Sequence, residues 1–137
     1  PGGMRHALTG YRYLEQAGYP DAARICITHS YPNKNATEGS SAWDGTDEEF
    51  QFIQDYLGRI EYTDYDRLIQ LCDSICLPEG FCLMEKRLLD VVMRYGFNQY
   101  TRSKWNAFFK IKAAFEQEIG VSIYDLLPGV VETTFKR

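Results

Sequence analysis

The sequence predicts an all-α fold, a helical bundle of about six to seven helices, and three observations lead to it. Apolar residues recur every three or four positions through most of the chain. Glycine and proline fall where those segments stop and start. No stretch alternates apolar and polar residues as a half-buried strand does. With 137 residues, 45% of them hydrophobic and 15% aromatic, the chain is long enough for a core and too apolar to stay disordered. It reads as a single helical domain over residues 1–137.

The first helix begins at Arg5, places His6, Gly10, Tyr11 and Leu14 on neighbouring positions, and closes at Gly18. His6 and Gly10 stand one turn apart on one face. A glycine inside a helix costs about 1 kcal/mol against alanine, so Gly10 marks a close approach by another backbone or a ligand. Pro20 at the first helical position and Asp21 behind it open a second helix. Ala22, Cys26 and His29 share its expected buried face. The two histidines of the chain are thus both read on faces that point inward.

From Tyr31 to Gly45 the periodicity lapses into a long loop, a length often used for lids or binding segments. Lys34 and Trp43 are its residues suited to an anionic, ring-bearing ligand. Trp43 reads better as an anchor holding the loop to the core. Thr46-Asp47-Glu48-Glu49 has the form of a capping box, and Phe50, Ile53, Leu57 and Ile60 follow at helical spacing.

In the next helix Tyr65, Leu68, Ile69, Cys72 and Cys76 have the spacing of one buried face. Asp73 falls about 80° round from Tyr65, at the edge of that stripe, and Asp66 sits one heptad earlier on the same edge. A carboxylate at such an edge needs a cation, a metal or N–H donors. An N-cap role or an ion pair with Arg67 or Lys86 is the ordinary solution. Pro78-Glu79-Gly80 stops this helix. Met84, Leu88, Val91, Val92 and Tyr95 form another, closed by Gly96. Trp105, Phe108, Ile111, Phe115 and Ile119 form a longer one, closed by Gly120, and Ser122 with Asp125 caps a last short turn before Pro128-Gly129.

A net charge of −4 without a basic stripe argues against nucleic acid as a partner. No apolar run approaches the length of a membrane span, so no membrane partner is expected. Cys26, Cys72, Cys76 and Cys82 form no disulfide framework and read as reduced, buried thiols of a cytoplasmic protein. A zinc site of Cys72, Cys76 and Cys82 would depart from zinc-ribbon spacing.

His6-Ala-Leu-Thr-Gly10, Gly18-Tyr-Pro-Asp-Ala-Ala23, Ile27-Thr-His29 and Leu71-Cys-Asp73-Ser74 together resemble the second half of an HD-domain metal-dependent phosphohydrolase. The resemblance covers roughly residues 4–80, as the second half of an HD domain, with 81–137 as a helical extension. It implies an HD-domain-like bundle in which a histidine of the first helix, an adjacent His-Asp dyad and a distant aspartate hold the main metal. Intervening histidines hold a second metal or touch the phosphate. On this resemblance Asp73 matches the distant aspartate, and His6 and His29 match the intervening histidines.

The chain departs from that pattern in having no His-Asp dipeptide and no histidine before His6. Its opening, Pro1-Gly2-Gly3-Met4, reads as the interior of a longer protein, so the dyad is expected upstream and the catalytic residues stay unassigned. What the resemblance implies is hydrolysis of a phosphate ester or anhydride, nucleotide-like, by a metal-activated water. Imidazole and carboxylate donors suit a divalent ion, whether Fe, Mn, Zn, Ni or Mg. Lys34 and Arg5 are the candidate cations for the small phosphorylated substrate. A mononuclear site of His6, His29 and Asp73 alone is a second form of the metal reading. The rival class is a non-catalytic all-helical interaction module. If helices that normally cover His6 and His29 lie outside this chain, apolar surface around Leu8, Tyr11, Cys26 and Ile69 is left bare and a homo-oligomer is expected.

Overall fold

A computed structural model describes residues 3–136, and among them it is all-α: seven α-helices and one two-stranded ribbon. The chain packs as two compact units, Pro1–Gln70 and Leu71–Arg137, so the packing divides earlier than the expected 80/81 boundary.

The first unit holds α1 (His6–Gln16), α2 (Pro20–Thr28), α3 (Asp47–Arg59) and most of α4 (Asp64–Ser74). Gly18, in the left-handed region at φ +82°, turns the chain between α1 and α2. Thr46 and Glu49 form the capping box at the start of α3. Met4, Ala7, Leu8, Ile27, Tyr31, Ala36, Ile53 and Leu57 make the core of this unit. Leu8, expected on bare surface, is 1% exposed there. The loop after α2 is structured rather than loose. A short 3-10 turn spans Ala36–Glu38, Asn35 caps it, and Gln54 Oε1 accepts from the Ala36 N–H at 3.1 Å. Trp43 lies against Phe50 and donates its indole N–H to the Thr46 carbonyl at 2.9 Å, the anchoring role read from the sequence.

Two helical faces differ from expectation. On α2 the buried residues are Ala23, Ile27 and Thr28, and Ala22 is exposed. On α4 Tyr65 is 75% exposed and Leu68 and Ile69 are open as well, while Asp66 and Gln70 are fully buried. The reason is that both buried polar groups are satisfied. Arg24 donates to Asp66 from Nε and from Nη2, the latter at 2.7 Å, and Thr28 Oγ1 and the Thr63 N–H each donate at 2.7 Å. Gln70 donates to the Thr28 carbonyl at 2.8 Å and accepts from Arg67 at 3.0 Å. A polar face with every partner in place can be buried, and a count of apolar residues does not detect it.

The second unit begins at the end of α4, where Leu71 and Ile75 are buried. An antiparallel ribbon follows, β1 (Cys76–Leu77) with β2 (Gly80–Phe81), in the register Cys76↔Phe81 and Leu77↔Gly80. Then come α5 (Met84–Tyr95), α6 (Thr101–Ile119), a 3-10 turn over Ile123–Leu126 and α7 (Val130–Phe135). Leu71, Ile75, Met84, Leu88, Phe108 and Ile111 form its core, joined by Trp105, Phe115 and Tyr124. The start of α5 is capped from afar: the Leu83 N–H donates to Thr134 Oγ1 at 2.9 Å and the Met84 N–H to the Tyr124 hydroxyl at 3.0 Å. The ribbon and α7 are additions to the sequence reading. Each is too short for periodicity to reveal. No helix among the described residues is long and apolar enough to cross a membrane.

Candidate metal-binding site

His6 and His29 are brought together by the packing of α1 on α2. Their Nε2 atoms lie 3.4 Å apart and their rings meet edge to face, with centroids 5.4 Å apart. Gly10, one turn after His6, makes this approach workable: a Cβ built there would fall 2.9 Å from the Cys26 sulfur on α2. The close approach inferred for Gly10 is therefore made by a side chain of the neighbouring helix.

Each ring is held from its other nitrogen. His6 Nδ1 lies 2.9 Å from the Gly3 carbonyl, and His29 Nδ1 lies 2.9 Å from the Cys26 carbonyl. A carbonyl can only accept, so each Nδ1 donates to it, and the two Nε2 atoms are left facing one another. At 3.4 Å the two Nε2 atoms are close enough to share one proton or one cation. Ser30 Oγ, 3.0 Å from His29 Nε2, donates its hydroxyl toward the same point.

The segment before α1 is pinned for this purpose by Asp44. Its Oδ1 accepts from the Arg5 N–H at 2.7 Å and its Oδ2 from the Gly3 N–H at 2.9 Å. Those N–H groups, the Arg5 one foremost, outweigh partial desolvation and hold the Asp44 carboxyl below its usual range. A Cβ on Gly3 would fall 2.4 Å from the Asp44 carboxyl carbon, so a side chain there would displace the carboxylate. Asp44 thus fixes Gly3, and Gly3 fixes His6. Arg5, in the N-cap position of α1, has no side-chain capping bond, so the carboxylate from the loop stands in for one.

The histidines do not face inward as expected. His6 is exposed and His29 is half-buried, because the neighbouring Ala7, Leu8, Ile27 and Thr28 take the buried positions. The pair is therefore open to an incoming ion or ligand. Within the first unit no third His, Cys, Asp or Glu among the described residues joins it as a ligand group.

Asp73 belongs to the second unit, near the end of α4, with its side chain 47% exposed. Its partner is Arg87, neither Arg67 nor Lys86: Nε donates to the Asp73 carbonyl at 3.0 Å, and Nη2 lies 3.6 Å from the carboxylate. The proposed substrate cations are both engaged. Arg5 makes a two-pronged pair with Glu49, Nε and Nη2 each at 2.9 Å. Lys34, in the left-handed region at φ +57°, lies 3.4 Å from Glu61 and over the Tyr62 ring. All four cysteines are free thiols, but only Cys82 is buried as expected; Cys26, Cys72 and Cys76 are half-buried.

Sequence reasoning missed Gly3, Ser30, Asp44 and Arg87. Gly3 and Asp44 belong together only through a contact 41 residues apart in the chain, which no local pattern encodes. Ser30 adjoins His29, and a hydroxyl beside a candidate ligand was the one available signal. Comparison of the chain with known protein families, characterised proteins and solved structures returns no match.

Proposed function

We propose that this chain carries part of the metal site of a phosphohydrolase of the HD-domain type, with His6 and His29 as imidazole ligands of a divalent ion. The observation that carries the reading is the pair of facing Nε2 atoms at 3.4 Å, each ring backed by an Nδ1–H bond to a backbone carbonyl. Bonds of about 2.0–2.1 Å from nitrogen to an octahedral or tetrahedral ion place two adjacent donors about 2.8–3.4 Å apart, the tetrahedral arrangement at the upper end. A ring N–H donated to a carbonyl is the usual support of a ligating histidine. The residues present therefore fit the group.

Such an ion supplies Lewis-acid polarisation of a phosphoryl oxygen and acidification of a water. The chain's own residues do the rest of what is proposed. Asp44 and Gly3 orient His6, the last turn of α2 orients His29, and the Ser30 hydroxyl lies beside His29 Nε2. The resemblance adds Asp73 as a carboxylate ligand. The His-Asp dyad that the family uses is absent from these residues, so the ligand set here is partial and metal binding by this chain is weak. The substrate class follows from the resemblance: a small phosphate ester or anhydride, nucleotide-like.

The test is metal-dependent hydrolysis of a panel of nucleoside phosphates by this chain and by any longer protein that carries it. H6A, H29A and D73N should each remove at least about 99% of the activity of the complete enzyme, as loss of a ligand does. Full activity in all three variants would end the reading.

An interaction module is the second reading. Met93 at 78% and Phe97 at 72% exposure, at the end of α5, favour it. A metal response confined to neither histidine would move the balance that way.

A further inference from the structure

The second unit builds a cleft of about 680 Å³ between the ribbon, one face of α5 and the end of α7. We propose that this cleft binds a small polyanion through a pyrophosphate-like group.

Charge is the first support. Lys86, Arg87, Arg94 and Lys136 line the cleft against Glu79 and Asp90, a positive excess on a chain whose net charge is −4. Helical spacing places Lys86, Arg87, Asp90 and Arg94 together on α5. Asp90 is spent within the cleft: Arg94 Nη2 donates to it at 2.6 Å and Arg87 Nη1 at 3.3 Å. This fixes the two guanidinium groups in place. Lys86 and Lys136 have no ion pair among the described residues, so their charges are the unspent ones.

The second support is preorganisation. Arg87 is only 18% exposed and is anchored from behind, by its Nε bond to the Asp73 carbonyl and by the Asp73 carboxylate. The Arg87 donors are committed to Asp73 and Asp90, so its guanidinium gives the cleft a fixed positive charge, while the lysines add the mobile ammonium groups that reach phosphate oxygens. The volume suits a small molecule. Three of the cations stand on α5 and Lys136 follows α7, so positive charge reaches the cleft from two elements, which suits a ligand with two linked anionic groups. Pyrophosphate, free or as part of a nucleoside diphosphate, has that chemistry.

Arg87 also links the cleft to Asp73, because the same guanidinium serves both. A ligand that draws Arg87 forward loosens its hold on the Asp73 carboxylate. Nothing in this inference depends on the histidine pair.

The experiment is calorimetric titration of the chain with sodium pyrophosphate in EDTA, so that no divalent metal takes part. The expected result is saturable one-to-one binding that weakens as salt rises. K86E/K136E should weaken it at least about tenfold while the melting temperature holds, and H6A should leave it unchanged. An equal titration with adenosine diphosphate separates the sources: tighter binding than pyrophosphate assigns the nucleotide, equal binding the diphosphate alone. Absence of saturation, or unchanged affinity in K86E/K136E, would overturn the proposal.

Discussion

Gly10 and Cys26 meet so closely that a methyl group on the glycine would lie 2.9 Å from the cysteine sulfur. This contact lies one turn from His6 along α1 and three residues from His29 along α2. It sets how near the two helices come, and so the 3.4 Å between the imidazoles. Packing at an unremarkable pair of small residues positions the candidate ligands.

Gly10→Ala should therefore destabilise the chain by about 1–3 kcal/mol, the cost of overpacking, although alanine is the better helix former. In a Cys26→Ala background the clash is relieved, and the same change should gain up to about 1 kcal/mol. Urea unfolding of the four proteins in the cycle measures both. Identical effects of G10A in the two backgrounds would show that the sulfur does not set the helix spacing.

Asp66 is predicted to be the most costly polar residue to remove from the first unit. Asp66→Ala leaves Arg24, Thr28 and the Thr63 N–H without their acceptor, at about 3–5 kcal/mol. Burial pushes its carboxyl up, yet the Arg24, Thr63 and Thr28 hydrogen bonds and the Arg24 charge together hold it below the usual aspartate range. Its contribution is thus present above that range and lost as pH falls below it. A denaturant midpoint for D66A within error of the parent at neutral pH would contradict this.

Asp66 also shows how far the sequence could be read. Helix starts and stops at Gly18, Pro20, Thr46, Gly96 and Gly120 are local chemistry, and the elements they bound are found. Which face of α4 is buried is not local. It was read from Tyr65, Leu68 and Ile69, but Arg24, 42 residues earlier, makes Asp66 the better residue to bury. His6 and His29 are legible as a pair because they are the two imidazoles of the chain, on neighbouring helices, and the packing of α1 on α2 brings them together. Their supports are not, since Asp44 reaches Gly3 across the whole of α1, α2 and the loop.

Glu49 serves at once as the capping-box residue of α3 and as the acceptor for Arg5 and Arg12. Those hydrogen bonds, Arg5 first and Arg12 next, bring its carboxyl down to about 2 from 4.5. A folded-state value below the unfolded one stabilises above pH 4.5 and loses that contribution as pH falls toward 2. Thermal melts of parent and Glu49→Gln across this range should differ at pH 6 to 7 and converge near pH 2, values chosen as roughly above and below the transition. A gap that stays constant with pH would show that the ion pairs contribute nothing.

Tyr31 is fully buried and its hydroxyl has no hydrogen-bond partner among the described residues. Burial pushes its phenol well above the ordinary tyrosine range. Tyr31→Phe removes an unsatisfied group at little cost in shape, so stability should hold or rise by up to about 1 kcal/mol. A loss of more than about 1 kcal/mol in chemical denaturation would reveal a partner for the hydroxyl.

The chain contains only two histidines, which makes the central claim directly measurable. Zinc or nickel titrated into the protein, followed by imidazole nitrogen NMR, should move the His6 and His29 signals together along one saturation curve with one ion per chain. The Nε2 resonances should carry the change while Nδ1 stays protonated, and His6→Ala should abolish the response of His29. Independent responses of the two rings, or none at millimolar metal, would contradict the account.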